Sequence, residues 1–247
     1  MLIKTTESST PMSVAKLNEK WRSHTAMEAI RFTSLNFSSE RLAVTSSFGS
    51  ESAVLLHLVS LVDENIPVFF IDTGKHFRAT LDYRDAIAKL FGLKSIKIIS
   101  PAAQDLLDKD PDGSLHLRDV DTCCNIRKVE PLDQTLRDID AWITGRKRYQ
   151  NSDRGDIPIF ENGRVGKVKV NPLANWNMHD VQHYMTVHEL PPHPLVAEGY
   201  LSIGCEVCTT KVALGEDPRT GRWRGEKKTE CGIHFTEDGR IVRTGGN

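Results

Sequence analysis

The stretch RLAVTSSFGSESAVLLHLVSLV, residues 41–62, changes character in its middle. A short apolar run, Leu42–Thr45, suits a buried strand. A Ser- and Gly-rich turn follows, and then ten mostly apolar residues, long enough for a helix. The neighbouring sequence repeats the alternation. IPVFFIDTG (66–74) reads as a buried strand ending in a turn, FRATLDYRDAIAKLFGL (77–93) as an amphipathic helix closed by Gly92, and SIKIIS (95–100) as a third strand. Strand–helix–strand–helix–strand order predicts an α/β fold, an open, mostly parallel twisted sheet with helices on both faces. Towards the N-terminus, residues 13–36 read as helical, with Leu17, Trp21, Ala26, Ile30 and Phe32 on one side, and residues 1–12 as frayed. Towards the C-terminus, TCCNIRKVEPLDQTLRDI (122–139) reads as a helix beginning near its cysteine pair, AWITG (141–145) as a strand, and residues 146–166 as a polar loop. VKVNPLANW (168–176) returns to the sheet and NMHDVQHYMTVHEL (177–190) is helical. From Pro191 onward glycines and charges dominate without a period. The expected organisation is a disordered terminus (1–12), one body (13–215) and a flexible tail (216–247).

The chain has 247 residues, 39% hydrophobic and 26% charged, with a net charge of −1. That is a soluble globular composition, and no overall field points to nucleic acid or a membrane surface. The first residues lack the apolar core of a secretory signal. The longest apolar stretch, AVLLHLVSLV, is too short to span a bilayer. A cytoplasmic protein is expected, in which thiols stay reduced and its five cysteines are better read as ligands or catalysts than as disulfides. Oligomeric state, self-association included, is left open.

Several segments carry candidate chemistry. The turn SSFGSES (Ser46, Ser47, Phe48, Gly49, Ser50) joins a strand to a helix N-terminus, where backbone N–H groups and the helix dipole favour an anion; it also reads as a plain joint. Asp72, Thr73 and Gly74 end the next strand, and two polar turns at strand ends point to a nucleotide. Cys123–Cys124 with Cys205–Cys208 supply four sulfurs, the donor set of zinc or an iron–sulfur cluster. Adjacent cysteines diverge and clamp one small ion poorly, which favours a [4Fe–4S] cluster over zinc; the plain alternative is that Cys123 and Cys124 are small buried hydrophobes. Lys128 follows Cys124 by one helical turn, placed to offset negative charge or to sit in solvent. Cys231, in KKTECGIHF, has Lys227, Lys228 and His234 nearby, and cationic neighbours favour the thiolate; it reads equally as an ordinary exposed thiol. Arg146, Lys147 and Arg148 follow one strand, and Arg219, Arg222 and Arg224 lie in the tail. Guanidinium forks suit sulfate or phosphate oxygens, although a surface arginine is more often merely solvated.

Taken in order, SSFGSES, IDTG, CCNIRKVEPL, WITGRKR, VNPLANW, GYLSIGCEVCT, GEDPRTGRW and ECGIH resemble the assimilatory adenylyl-sulfate reductases of the adenylyl-sulfate/phosphoadenylyl-sulfate reductase family. The resemblance runs from about Arg41 to His234. It implies a sheet of the adenine nucleotide alpha hydrolase-like, ATP-pyrophosphatase-related kind, with a tail bearing the nucleophile. It implies that Cys123, Cys124, Cys205 and Cys208 bind a [4Fe–4S] cluster. Cys231 would attack the sulfur of adenylyl sulfate, releasing AMP, and thioredoxin would free sulfite from the S-sulfonated cysteine. Lys128, Arg219, Arg222 and His234 match positions near the sulfate and the tail. Ser46–Ser50 and Asp72–Gly74 match the nucleotide segments. The family commonly has two arginines where this chain has Lys147 and Arg148, so Arg148, with Arg146, is the expected anion contact. Use of phosphoadenylyl sulfate instead, or of both substrates, is the alternative. Rival readings are an ATP pyrophosphatase that thiolates RNA, whose SGGxDS loop this chain lacks, and a non-catalytic zinc-binding module.

Overall fold

The computed structural model describes residues 2–5, 8–21, 24–163, 166–226, 228 and 230, and for residues 2–12 the backbone alone. Strands β1 (Leu2–Thr5) and β2 (Ser8–Ser13) form an antiparallel ribbon pairing Leu2 with Ser13 and Ile3 with Met12, where the sequence suggests a frayed end. The polar stretch holds no alternation from which such pairing can be read. Helix α1 (Val14–Lys20) follows directly. A second helix, α2 (Ala26–Asn36), starts at a capping box: the Thr25 hydroxyl accepts the Glu28 N–H, and the Glu28 carboxylate accepts the Thr25 N–H. The single helix expected over residues 13–36 is therefore two, because Thr25 opens a new one. Leu17, Trp21, Ala26, Ile30 and Phe32 are all buried, as the pattern predicts.

The alternation then appears as read: β3 (Leu42–Thr45), α3 (Ser52–Val62), β4 (Val68–Ile71), α4 (Arg78–Leu90) and β5 (Ile96–Ile99). Short helices α5 (Ala103–Lys109), α6 (Leu115–Arg118) and α7 (Val120–Cys124) lead to a π turn over Asn125–Val129 and then α8 (Glu130–Thr135). The π turn precedes Pro131. Proline has no N–H to give and its ring crowds the carbonyl four residues back, so the helix widens here and the Glu130 N–H reaches the Asn125 carbonyl. Strands β6 (Ala141–Thr144), β7 (Phe160–Asn162) and β8 (Val168–Val170), with α9 (Met178–Val187), complete the elements. β7 lies within the expected loop; three residues are too few to show a strand period, and tertiary pairing of Phe160 with Val170 defines it.

The six-stranded sheet has the order β5-β4-β3-β6-β8-β7, parallel except for β7 at one edge. Strand parity separates two cores. Leu42, Val44, Val68, Phe70, Ala141 and Ile143 pack with α2, α3 and α9. Ala43, Phe69 and Trp142 face the other way, onto Leu132, Leu136 and Ile139. Helices thus cover both faces, as expected. Among the described residues no helix is long and apolar enough to cross a membrane.

One buried polar group ties α4 to the segment after α9. His193 is fully buried; its Nδ1 accepts the Leu195 N–H at 3.2 Å, so Nε2 carries the proton and donates to Thr80 Oγ1 at 3.1 Å. Burial pushes its imidazolium pKa down to about 4. The unfolded chain then binds the extra proton first, so stability is full above the ordinary histidine value and falls as pH drops from about 6.5 to about 4, by roughly 3 kcal/mol. Urea midpoints across that window are expected to show this slope, and His193→Asn to flatten it.

Candidate active site

In an open parallel sheet, ligands bind where the direction of the crossovers reverses, because the loops leaving two neighbouring strands part there. The reversal lies between β3 and β6: β3 leads to β4 on one side, and β6 leads towards β7 and β8 on the other. The turns beyond these two strands enclose a cavity of about 270 Å³. Its walls come from the turn after β3 (45–47 and 49–52), from Gly145, Lys147, Gln150 and Arg154 beyond β6, and from Ser202–Gly204, Arg219 and Arg222. His76, Lys128 and the apolar Leu55, Phe69, Ile71 and Leu132 complete it.

Its charges are ordered. Glu51 accepts from Lys147 Nζ at 2.8 Å, from the Tyr149 hydroxyl at 2.5 Å and from Gln150 Nε2 at 3.0 Å. Burial pushes the Glu51 carboxyl up, but the Lys147 ammonium and these donors overcome it and hold the pKa below the usual range. Lys147 is thus an internal counter-charge. Lys128, Arg154, Arg219 and Arg222 add positive charge to the same wall, which Glu230 beside Arg154 and Arg219 offsets only in part, and such an excess in a partly dry cavity suits an anion. His76 Nε2 donates to the Ile71 carbonyl at 2.9 Å, and burial lowers its pKa, so the ring is neutral. Its Nδ1 is then a buried acceptor with no protein donor.

A second recess adjoins the cavity. Cys123 and Cys124 from α7 meet Cys205 and Cys208 from a 3₁₀ turn, and Lys75, Arg127, Lys128, Val207 and Trp223 close the recess around them. Three of the four thiols are buried and Cys208 is half-buried. Lys128 walls both spaces. Burial raises the Cys205 pKa, yet Lys128, the Thr73 hydroxyl and Arg222 together bring it below the ordinary thiol value. Among the described residues no three Cys, His, Asp or Glu side chains are arranged to close on one metal ion. The chain after the recess folds back on it: the Thr210 N–H donates to the Gly221 carbonyl at 2.7 Å, and the Trp223 N–H to the Cys208 carbonyl at 3.1 Å.

The phosphoadenosine phosphosulfate reductase domain profile matches residues 41–211, which contain both recesses apart from Arg219, Arg222 and Trp223. The chain belongs to this family. It is 49% identical to the adenosine 5′-phosphosulfate reductase of Mesorhizobium japonicum over 85% of this chain and 82% of that protein. It is 41% identical to the phosphoadenosine 5′-phosphosulfate reductase of Gloeobacter violaceus over 85% of this chain and 88% of that protein. The crystal structure of phosphoadenylyl-sulfate reductase from Candida auris, a phosphate complex, superposes with a TM-score of 0.68 at 28% identity, covering 81% of this chain and 96% of that one.

Within this reductase fold the expected site residues part company. Ser46, Ser47, Gly49 and Ser50 line the cavity. Phe48 does not: it holds a left-handed backbone (φ 49°), and its ring is fully buried, edge-on to Phe70 at 5.7 Å. Burying a phenyl ring, roughly 2–3 kcal/mol, outweighs the roughly 1–2 kcal/mol of that conformation. Asp72, Thr73 and Gly74 do not line the cavity, although Phe69 and Ile71 of β4 and His76 after it do, and Thr73 faces a thiol instead. Asp72 accepts the Gly74 N–H at 2.9 Å, and Thr73 Oγ1 is 3.3 Å from Cys205 Sγ. Arg127 donates to the Thr73 carbonyl at 2.7 Å and to buried Asp110. Arg219 and Arg222 reach the cavity; Arg146 and Arg148 do not. Arg146 pairs with Glu161 at 2.7 Å. Arg148 donates to the Ile157 carbonyl at 2.9 Å and lines a separate groove of about 840 Å³. Lys147 is extended (φ −135°, ψ 147°), so successive side chains point to opposite sides, which sends the lysine inward and the arginine out. Glu51, His76, Gln150 and Arg154 are among the cavity residues the sequence did not single out; the motif favours Arg146 and Arg148 over Lys147, and the parity of β6, continued through Gly145, is the signal that finds the lysine. Cys231 and His234 lie outside the described residues.

Arg222 depends on a glycine. A Cβ on Gly204 would fall inside the Arg222 guanidinium. Gly204→Ala is expected to displace Arg222 and weaken AMP or sulfate binding by about tenfold, the loss of one charge-assisted contact. Calorimetric titration, with circular dichroism to show that the fold is retained, checks this.

Proposed function

We propose that the chain reduces adenylyl sulfate to sulfite and AMP in sulfate assimilation, in the cytoplasm, with Cys231 on the C-terminal arm (216–247) as nucleophile, thioredoxin as reductant and residues 13–215 as the nucleotide- and cluster-binding body. The observation that carries this reading is the position of Lys128, one ammonium shared by a nucleotide-sized cationic cavity and a four-cysteine recess. The 49% identity to a named adenosine 5′-phosphosulfate reductase supports it.

The cavity residues account for binding. The β3 turn and the N-terminus of α3 offer N–H groups to the nucleotide phosphate. Neutral His76 offers an acceptor to a hydroxyl. Lys128, Arg219 and Arg222 surround the sulfate oxygens, which would otherwise repel an approaching thiolate. The Cys231 thiolate attacks sulfur, the S–O bond to the phosphate breaks, and AMP leaves with that electron pair. No redox change is needed at this step. Two electrons from a dithiol then cleave the Cys–S–SO₃⁻ bond, giving sulfite, the free Cys231 thiol and a disulfide on the reductant; His234 is placed in sequence to serve this arm.

Cys123, Cys124, Cys205 and Cys208 are the residues that would hold a [4Fe–4S] cluster. The donor set suits such a group: four thiols line one recess, and a cluster takes one thiolate per iron. Two buried donors beside them, Trp223 Nε1 and Arg222 Nη2, have no protein acceptor, and sulfur would provide one. When bound, such a group would supply fixed negative charge, which the Lys128 ammonium would offset beside the sulfate.

A second substrate reading rests on the Gloeobacter relative and the Candida structure, both named for the 3′-phosphorylated nucleotide. Sulfite release from each nucleotide with thioredoxin decides between them, and faster turnover of adenylyl sulfate is expected. Oxygen-free protein without reductant is expected to form one S-sulfonated Cys231 and one AMP per chain, and Cys231→Ser neither; sulfite release by that variant at the wild-type rate would sink the mechanism. Serine at any of the four recess cysteines is expected to lower bound iron and acid-labile sulfide.

A further inference from the structure

Glu230, the residue before Cys231, is 2% exposed and gripped on several sides. Arg154 donates through Nε to Oε1 at 2.5 Å and through Nη2 to Oε2 at 2.9 Å. Asn151 Nδ2 donates to Oε1 at 2.7 Å, and the Arg219 guanidinium is 3.6 Å away. Arg154 and Asn151 lie in the loop beyond β6, 76 and 79 positions earlier in the chain. Arg154 and Arg219 also wall the cavity. We propose that Glu230 is a positioning residue, and that its two-point ion pair with Arg154 is the latch that seats the arm bearing Cys231 against the cavity. This rests on Cys231 being the nucleophile, as read above.

The physical case is geometric and electrostatic. Consecutive Cα atoms are about 3.8 Å apart, so fixing Glu230 fixes the root of Cys231 to within one virtual bond. A bidentate guanidinium–carboxylate pair fixes direction as well as distance. Charge gives the latch its strength. Among the described residues, Arg146, Arg154, Lys169 and Arg219 gather around two carboxylates, Glu161 and Glu230. Withdrawing Glu230 strips Arg154 of its buried counter-charge, which is costly. Holding Glu230 on Arg154 is therefore favoured, and a reductant that must reach the S-sulfonated cysteine has to work against that pair or wait for its release.

The test uses full-length oxygen-free protein with Glu230→Gln, which keeps shape and removes charge, and Asn151→Ala, which removes one donor far from substrate. Three quantities are read: the single-turnover rate of Cys231 S-sulfonation at saturating adenylyl sulfate, AMP affinity, and the rate of Cys231 alkylation by iodoacetamide in resting protein, followed by peptide mass spectrometry. For Glu230→Gln, sulfonation is expected to slow by about tenfold or more and alkylation to quicken by about tenfold, with AMP affinity within about threefold, the scale of one lost charge-assisted bond. Asn151→Ala is expected to move the same quantities the same way by less, and it carries the test alone if Glu230→Gln does not fold. Alkylation and sulfonation both at wild-type rates overturn the latch, as does a parallel loss of AMP affinity, which would make Glu230 a support of the cavity itself. If wild-type protein forms no S-sulfocysteine, the reading of Cys231 fails, while the alkylation rates still decide the latch.

Discussion

Parallel pairing of β3 with β6, from Leu42 beside Ala141 to Thr45 beside Thr144, is the constraint on which the rest of the structure depends. Two strands nearly a hundred residues apart are hydrogen-bonded neighbours, and the chain leaves them in opposite directions. No crossover fills the gap beyond their ends. The turn after β3 and the extended segment after β6 become its walls, and the segment from Ser202 to Arg222 closes it. The apolar alternation that buries Leu42 and Val44 with one core, and Ala43 with the other, holds the two strand ends rigid.

Electrostatics then gives the cavity its character. Glu51 neutralises Lys147 within the wall and Asp110 neutralises Arg127 behind the thiols. Glu230 offsets Arg154 at the rim, and Lys128, Arg219 and Arg222 stand towards the cavity with it. The π turn over Asn125–Val129 matters because it carries Lys128 between the cysteines of α7 and the cavity. Anionic sulfur on one side and an anionic substrate on the other would repel, and one shared ammonium stabilises both at short range, where the low dielectric makes it strongest.

Much of this was legible in the chain. The Leu42–Thr45, Val68–Ile71 and Ile96–Ile99 strands, the helices between them and the two-faced sheet follow from hydrophobic periodicity, a local property. The grouping of Cys123, Cys124, Cys205 and Cys208 followed from residue type alone. Other features had no local signal. β7 is too short to alternate, the ribbon at Leu2–Ser13 depends on backbone pairing, and the break before Thr25 turned on one cap. Phe48, placed by its motif at the anion site, is a core residue because a buried ring is worth more than a strained φ.

Sequence by itself determined the main strands and helices of the sheet, the faces they bury and which residue types are present for anion and sulfur chemistry, because these depend on side chains within a few positions of one another. Only the tertiary structure decided which strand ends are neighbours. That choice put Lys147 and Arg154 in the cavity, sent Arg146 and Arg148 elsewhere, and set Thr73 beside Cys205 and Glu230 on Arg154. The reason is physical: the order of strands in a sheet is fixed by packing and crossover geometry across long separations, and no window of local sequence contains it.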